Sequence, residues 1–282
     1  MNYMKTAVLL TALTLLFVWI GRMIGGQTGM IIALALAVLM NGVGYWFSDS
    51  LILKMHRAWQ VDEAEEPALF QMVAELSRRA GMPMPKVYLM SDPTPNAFAT
   101  GRDPQHAAVA VTTGLMALLN PREVRGVLAH ELAHIQHRDI LIATIAAVIA
   151  GAVMMLANLA QMAAWFGFGR SSEDEEGGGS MIGLLLAIIV APLAAMIIQM
   201  AISRGREYQA DASGARISGD PLALASALQQ LERGAALAPA QVRPSTAHLY
   251  IVNPLLGGGL LSLFSTHPPI PERVKRLEAL AR

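Results

Sequence analysis

The sequence has no cysteine among its 282 residues. This excludes disulfide frameworks, thiolate metal sites and thiol catalysis. Charge is also scarce, because Asp, Glu, Lys and Arg make up 15% of the chain, against roughly 25% in a typical soluble domain. The net charge is zero and no Lys/Arg-rich tract is present, so nothing indicates a nucleic-acid partner. Apolar residues reach 54%, more than a soluble globule readily hides.

Four uncharged runs contain much of this apolar surplus. They are Thr6–Gly21, Met23–Ser48, Ile140–Gly169 and Met181–Ser203. Because a membrane-spanning helix needs about 20 mostly apolar residues, we predict four transmembrane helices. Two alternatives stay open: the first run could be a cleaved signal peptide, and the last two could form a buried helical hairpin in a soluble core.

Basic residues flank these runs unequally. The two short connecting loops carry one each, Arg22 and Arg170, whereas the opposite ends of the runs carry six. The positive-inside bias therefore predicts that both termini and the polar segments are cytoplasmic. The predicted organisation is two N-terminal spans (1–48), a first part of a cytoplasmic domain (49–139), a transmembrane hairpin (140–203) with a flexible acidic loop (170–180), and a second part of the cytoplasmic domain (204–282).

The polar segments predict a helix-rich α+β domain with a small sheet. Asn120-Pro121, with Glu123 three residues after the asparagine, is typical of a helix start with a capping box. The stretch Ser91–Arg102 is rich in turn residues. The predicted elements are a helix over 67–80, strands at Lys86–Met90 and His106–Thr113, and helices over Pro121–Arg138, from Pro221 onward and over Pro271–Ala281.

The helix from Pro121 contains the motif His130-Glu131-Leu132-Ala133-His134. Histidines four apart lie on one helical face, so both imidazoles can approach one zinc ion. Glu131 is offset by one residue and can reach the open side of such an ion, where it would take a proton from water. This arrangement predicts a metallohydrolase, and one Zn²⁺ per chain.

A catalytic zinc needs a third protein ligand. The metzincin spacing is excluded, because His137 and Ile140 stand where that class has glycine and histidine. A glutamate on a later helix is the other solution, and Glu207 fits it. Asp211, one turn further along the same face, would accept a hydrogen bond from a ligand histidine and fix its tautomer.

Four motifs occur together in this chain: His130–His134, the Glu207/Asp211 pair, Asn96–Gly101 and Phe264–Pro269. Together they resemble the HtpX family of bacterial membrane-bound zinc endopeptidases, which is related to the CAAX prenyl protease. The resemblance covers essentially the whole chain. It implies a zincin-type (gluzincin) domain with His130, His134 and Glu207 as zinc ligands and Glu131 as catalytic base. It also implies a multi-pass protein of the inner membrane that cleaves misfolded membrane and cytosolic proteins in quality control.

One further histidine is a candidate for catalysis. His267, in a proline-rich turn, could donate a hydrogen bond to the oxyanion, or it could make a purely structural bond in that turn. The predicted partners are protein or peptide substrates and the lipid bilayer.

Two other functions stay open from sequence alone. An intramembrane zinc protease of the site-2 type would bury the motif in an apolar span, but Pro121–Arg125 and Gln136–Asp139 surround it with polar residues. A non-catalytic membrane scaffold could use zinc structurally. Glu131 argues against that function, because a structural site needs no base.

Overall fold

The structure is a computed structural model that describes residues 2–141, 145, 204–237, 251 and 268–282. Most of the predicted hairpin 140–203, with its loop 170–180, lies outside the described residues, and so does His267. The helices and strands are α1 (Asn2–Met55), β1 (Trp59–Gln60), α2 (Pro67–Ala80), β2 (Lys86–Met90), β3 (Ala97–Gly101), β4 (Ala107–Thr112), α3 (Thr113–Leu118), α4 (Pro121–Gln136), α5 (Arg204–Ser218), α6 (Pro221–Leu237) and α7 (Ile270–Leu280).

The first helical segment, α1, folds back on itself. Asn41 Nδ2 donates a hydrogen bond to Thr14 Oγ1 at 2.8 Å, although a straight helix would separate these positions by about 40 Å. The reversal coincides with Gly26, whose φ of +58° lies in the left-handed region. Gly21 and Gly29 contact each other across the hairpin. Two antiparallel helical arms therefore occupy the region where the sequence predicts the first two spans.

One helical stretch among the described residues is long and apolar enough to cross a membrane. It is Gly26–Phe47, with a mean hydropathy of 1.9. Few of its residues are buried, and Ile31, Leu36 and Val38 are among its exposed apolar side chains. The helix continues beyond the predicted boundary at residue 48 to Met55, and its end packs into the domain that follows.

A mixed sheet of four strands has the order β1-β2-β4-β3. β2 and β4 are parallel, with Leu89 opposite Val111, whereas β3 runs antiparallel to β4, with Ala99 opposite Val109. β3 falls inside Ser91–Arg102, a stretch that is rich in turn residues and for which the sequence predicts no strand. Pairing with β4 makes Ala97–Gly101 a strand despite this composition.

The two faces of the sheet are buried against different helices. Val87, Val109 and Val111 belong to the main core, which also includes residues of α2 and α4. The opposite face packs on the end of α1, where Ile52 and Leu53 form a cluster with four buried residues of the strands: Met90, Phe98, Ala108 and Ala110. The part of α1 that follows the candidate span is thus a structural part of the domain that contains the sheet.

The predicted start of α4 is confirmed. Asn120 Oδ1 accepts from Glu123 N, and the Glu123 carboxylate accepts from Asn120 N, both at 3.0 Å. Glu123 also accepts from Ser226 Oγ of α6 at 2.6 Å. α4 ends at Gln136, two residues before the predicted end, and Arg138 adopts a φ of +59°. α4 packs most extensively on α5 and α6.

Candidate active site

The core of the site lies on α4, whose buried face carries His130 and Glu131. His134 follows one turn later and is partly buried. The His130 and His134 rings are perpendicular, with centroids 4.7 Å apart, as expected for two side chains four residues apart on one helical face.

Helix α5 brings two carboxylates to the same place. Glu207 and Asp211 are both buried, and they lie one turn apart on the face that α5 presents to α4. The close approach depends on Gly214, because a Cβ there would lie 2.9 Å from both Cα and N of His130. A glycine at this position therefore lets the two helix backbones approach closely enough for Glu207 to reach the histidines.

Three potential metal ligands converge. His130 Nε2 and His134 Nε2 are 3.2 Å apart, and Glu207 Oε1 lies 3.5 Å from His134 Nε2. Glu207 Oε2 is 3.8 Å from His130 Nε2. Ligands on a tetrahedral ion with bonds of about 2.0–2.1 Å would be roughly 3.4 Å apart. The group thus fits a tetrahedral divalent metal ion with one position left for water or substrate.

Each imidazole turns its other nitrogen toward a carboxylate. Asp211 Oδ1 lies 3.0 Å from His130 Nδ1, and Asp139 Oδ2 lies 3.4 Å from His134 Nδ1. Such partners fix the tautomer in which Nε2 is free to bind a metal. Burial lowers the pKa of His134, but the hydrogen bond that His134 donates to Asp139 and the charges of Glu207, Glu131 and Asp139 outweigh it and raise that pKa to about 9.

Glu131 is held by the sheet. Its Oε2 accepts a hydrogen bond from the backbone N–H of Ala99 in β3 at 3.0 Å. Burial raises the pKa of the Glu131 carboxyl, although the positive charges of His130 and His134 oppose the rise. A raised pKa brings a carboxylate closer to the range in which a general base exchanges protons at neutral pH.

Four buried carboxylates crowd this region: Glu131, Asp139, Glu207 and Asp211. Arg273 from α7 is fully buried beside Asp211, and Arg206 interacts electrostatically with Asp139 and Glu207. These two guanidinium groups balance half of the negative charge. A divalent cation would balance the other half, which is a second respect in which the residues fit a metal.

The sequence motifs predict one site made of His130, Glu131, His134, Glu207 and Asp211, and the structure brings these five side chains together. Two further residues of the site, Asp139 and Arg273, were not predicted.

Asp139 carries no signal beyond its spacing of five residues from His134. Arg273 carries a weak signal, because it interrupts the apolar stripe that Ile270, Val274 and Leu277 form on the last helix.

Comparison with known proteins identifies the family. The model of peptidase family M48 matches residues 63–281, which include every element of the site. The chain belongs to peptidase family M48. This M48 peptidase is a metalloprotease, and the convergence of His130, His134 and Glu207 gives it a group that could bind the metal.

Full-length relatives support the assignment. The M48 peptidase is 55% identical over 277 residues to a protein named Protease HtpX homolog in Syntrophobacter fumaroxidans, covering 98% of both chains. It is 56% identical over 286 residues to the Protease HtpX homolog of Persephonella marina, covering 100% of this chain and 98% of the relative. The resemblance to the HtpX family is therefore confirmed.

A solved structure shares the fold. The crystal structure of S. mikatae Ste24p matches with a TM-score of 0.53 at 18% identity, covering 98% of this chain and 65% of that one. At this identity the match shows a common architecture only. It agrees with the predicted mostly helical fold with a small sheet.

Proposed function

We propose that this M48 peptidase is a zinc endopeptidase whose ion is bound by His130, His134 and Glu207, one Zn²⁺ per chain. In this proposal Glu131 is the catalytic base and Asp211 orients His130. The single observation that supports it most strongly is the spacing of the three ligand atoms, which lie within 4.8 Å of one another. A catalytic zinc site has three protein ligands and the two histidines supply only two, so the contribution of Glu207 from a separate helix is decisive.

The lone pairs of two unprotonated Nε2 atoms at 3.2 Å would repel each other unless a proton or a cation lay between them. A zinc ion at this position would act as a Lewis acid, lowering the pKa of water and polarising the scissile carbonyl. Zinc is preferred among divalent ions because two imidazoles and one carboxylate are its usual catalytic ligand set.

Peptide-bond hydrolysis needs a proton to move from water to the leaving amine. The Glu131 carboxylate would accept this proton at one oxygen and deliver it to the amine nitrogen. The hydrogen bond from Ala99 N–H holds Oε2 in a fixed orientation, so the other oxygen is the one available for the transfer. We also propose His267, which lies outside the described residues, as the donor of a hydrogen bond to the oxyanion.

The proposed substrates are misfolded membrane and cytosolic proteins, cleaved in membrane quality control. The proposed location is the bacterial inner membrane, with a multi-pass topology and with the catalytic domain and both termini in the cytoplasm. Support for the membrane location comes from the Gly26–Phe47 helix. Because the end of α1 packs under the sheet through Ile52 and Leu53, the site would lie close to the bilayer surface.

Two substitutions test the proposal on the full chain purified in detergent. Glu131→Gln keeps the ligands but removes the base, so it should retain zinc and lose casein cleavage. His134→Ala removes a ligand, so it should lose both. Bound zinc is measured by elemental analysis and cleavage by the release of casein fragments. Proteolysis that persists in Glu131→Gln would refute the base assignment, and a full zinc content in His134→Ala would refute the ligand assignment.

The two alternative functions receive less support. In a site-2-type protease the motif would sit in a membrane span, whereas α4 packs against a β-sheet and against α5 and α6. In a zinc scaffold Glu131 would have no catalytic role. Burying its carboxylate is unfavourable in free energy, yet Glu131 is buried and its orientation is fixed by the backbone N–H of Ala99. Casein cleavage that depends on Glu131 separates both alternatives from the proposal, because a scaffold cleaves nothing and a site-2 protease requires a transmembrane substrate.

A further inference from the structure

Arg273 is a buried charge that the proposed reaction does not use. It lies on α7 with 0% of its surface exposed. A guanidinium group in such surroundings destabilises the fold unless a counter-charge and hydrogen bonds compensate. Its Nε donates to Asp211 Oδ2 at 2.9 Å and its Nη2 to Asp211 Oδ1 at 2.7 Å. This two-point contact fixes the plane of the carboxylate as well as its position.

The carboxylate that Arg273 clamps is the one that faces a metal-binding histidine. Asp211 Oδ1 lies 3.0 Å from His130 Nδ1, so the oxygen that receives the arginine's Nη2–H also faces the imidazole. A carboxylate held in this plane presents its oxygen to the Nδ1 side of the imidazole, the side that a partner of a metal-binding histidine occupies.

The same guanidinium group lies against the other two groups of the site. Its Nη2 is 3.4 Å from His130 Nε2, and its Nη1 is 3.9 Å from Glu207 Oε2. Nη1 is buried and makes no hydrogen bond. Glu207 and Asp211, one helical turn apart, would repel each other in a medium of low dielectric constant. The positive charge of Arg273 beside both carboxylates reduces that repulsion.

We propose that Arg273 is a positioning residue of the metal site, which holds Asp211 against His130 and keeps Glu207 and Asp211 together. The proposal rests on the proposed zinc site. It makes α7 a functional part of that site, because the last helix supplies the group that fixes the orientation of a ligand on α4. Losing such a partner of a ligand typically weakens metal binding by about 10–100-fold.

The test measures zinc affinity in the purified full chain by competition with a chromogenic chelator. Arg273→Gln removes the positive charge and the guanidinium group, and Arg273→Lys keeps the charge but cannot donate to both oxygens of Asp211. Both should bind zinc about 10–100-fold more weakly than the wild type. Arg276→Gln is the matched control, since Arg276 lies on the exposed side of α7, pairs with Glu272 and stacks on Tyr208 of α5. The zinc affinity of Arg276→Gln should lie within about twofold of the wild-type value, a much smaller change than the one expected for the two Arg273 variants.

Two further measurements separate positioning from a general loss of structure. If Arg273 acts through Asp211, the double variant Arg273→Gln/Asp211→Asn should bind zinc no more weakly than Asp211→Asn alone. With Co²⁺ in place of zinc, the visible absorption bands of a tetrahedral site should shift in Arg273→Lys and not in Arg276→Gln. If Arg273→Gln does not fold, Arg273→Lys decides the question in its place.

Wild-type zinc affinity and an unchanged Co²⁺ spectrum in Arg273→Lys would overturn the proposal, and so would fully additive losses in the double variant. A failure of the zinc site itself gives a different result. In that case the wild-type chain would bind no stoichiometric zinc, whatever the residue at position 273.

Discussion

Replacing Gly214 by alanine tests whether the α4–α5 contact sets the spacing of the metal ligands. The added Cβ would lie 2.9 Å from two backbone atoms of His130 and 3.2 Å from the carbonyl carbon of Ala129. Carbon atoms in contact are normally about 3.5–4.0 Å apart. Backbone atoms cannot rotate away as a side chain can, so α5 would have to retreat by about 0.6–1.1 Å to restore that separation.

The retreat should cost metal binding more than stability. Glu207 lies on the same helix, 3.5 Å from His134 Nε2, and metal–ligand distances tolerate changes of only about 0.2 Å. We therefore expect zinc affinity to fall by about 10–100-fold. Overpacking costs about 1–3 kcal/mol, and replacing a helical glycine by alanine returns about 1 kcal/mol. The free energy of unfolding should thus fall by about 0–2 kcal/mol, from these two opposing effects.

Gly234→Ala is the matched control. Its Cβ would lie 3.2 Å from Leu118 Cδ2, the end of a flexible side chain that can move aside. This variant should keep wild-type zinc affinity and be slightly more stable. Chelator competition gives the affinity, and thermal unfolding in detergent gives the stability. Wild-type zinc affinity in Gly214→Ala would show that the reasoning is wrong, because α5 would then adjust without moving Glu207.

Three further predictions concern the metal site and the α1 hairpin. Asp139→Asn should weaken zinc binding by about tenfold, because His134 loses the carboxylate that faces its Nδ1; unchanged affinity would contradict this role. The pKa of His134 is about 9 without a bound metal, so below pH 9 zinc must displace the extra proton of this imidazole in order to bind. The apparent zinc affinity should therefore rise with pH by up to about tenfold per pH unit, measured from about pH 6.5 to 8.5. A flat profile would show that no proton is displaced. Asn41→Ala removes the hydrogen bond to Thr14 and should destabilise the α1 hairpin by about 0.6–1.7 kcal/mol, measured by unfolding in detergent, with casein cleavage unchanged.

Local sequence patterns predicted the elements whose signals are local. The capping box at Asn120 is such a signal, and the helix start that it predicts is confirmed. The helix predicted over 67–80 is confirmed as α2, and Gly81 caps it in the left-handed conformation with a φ of +65°. Strand β3 was missed because two prolines precede it and Gly101 ends it. Only its pairing with β4, which depends on tertiary structure, makes it a strand.

The candidate site shows the same division. Two histidines four residues apart predict a shared face of one helix, and this needs no knowledge of the fold. The third ligand could be proposed because chemistry demands one and Glu207 has a partner, Asp211, at helical spacing. The contact that lets Glu207 approach could not be predicted, because no pattern around Gly214 shows which backbone it meets. Arg273 could not be assigned either, since its partner lies on a different helix.

A metal site made only from neighbouring residues of α4 could bind an ion but would not position it, because two imidazoles leave its place and the tautomers undetermined. Here Glu207 and Asp211 come from α5, Arg273 from α7, and the N–H that aligns Glu131 from β3. Burying this many charges without a metal is unfavourable, since each carboxylate raises the energy of the others. Zinc binding is therefore coupled to folding. Zinc should bind strongly only when α4, α5, α7 and β3 are packed together, and its binding should in turn stabilise that packed state.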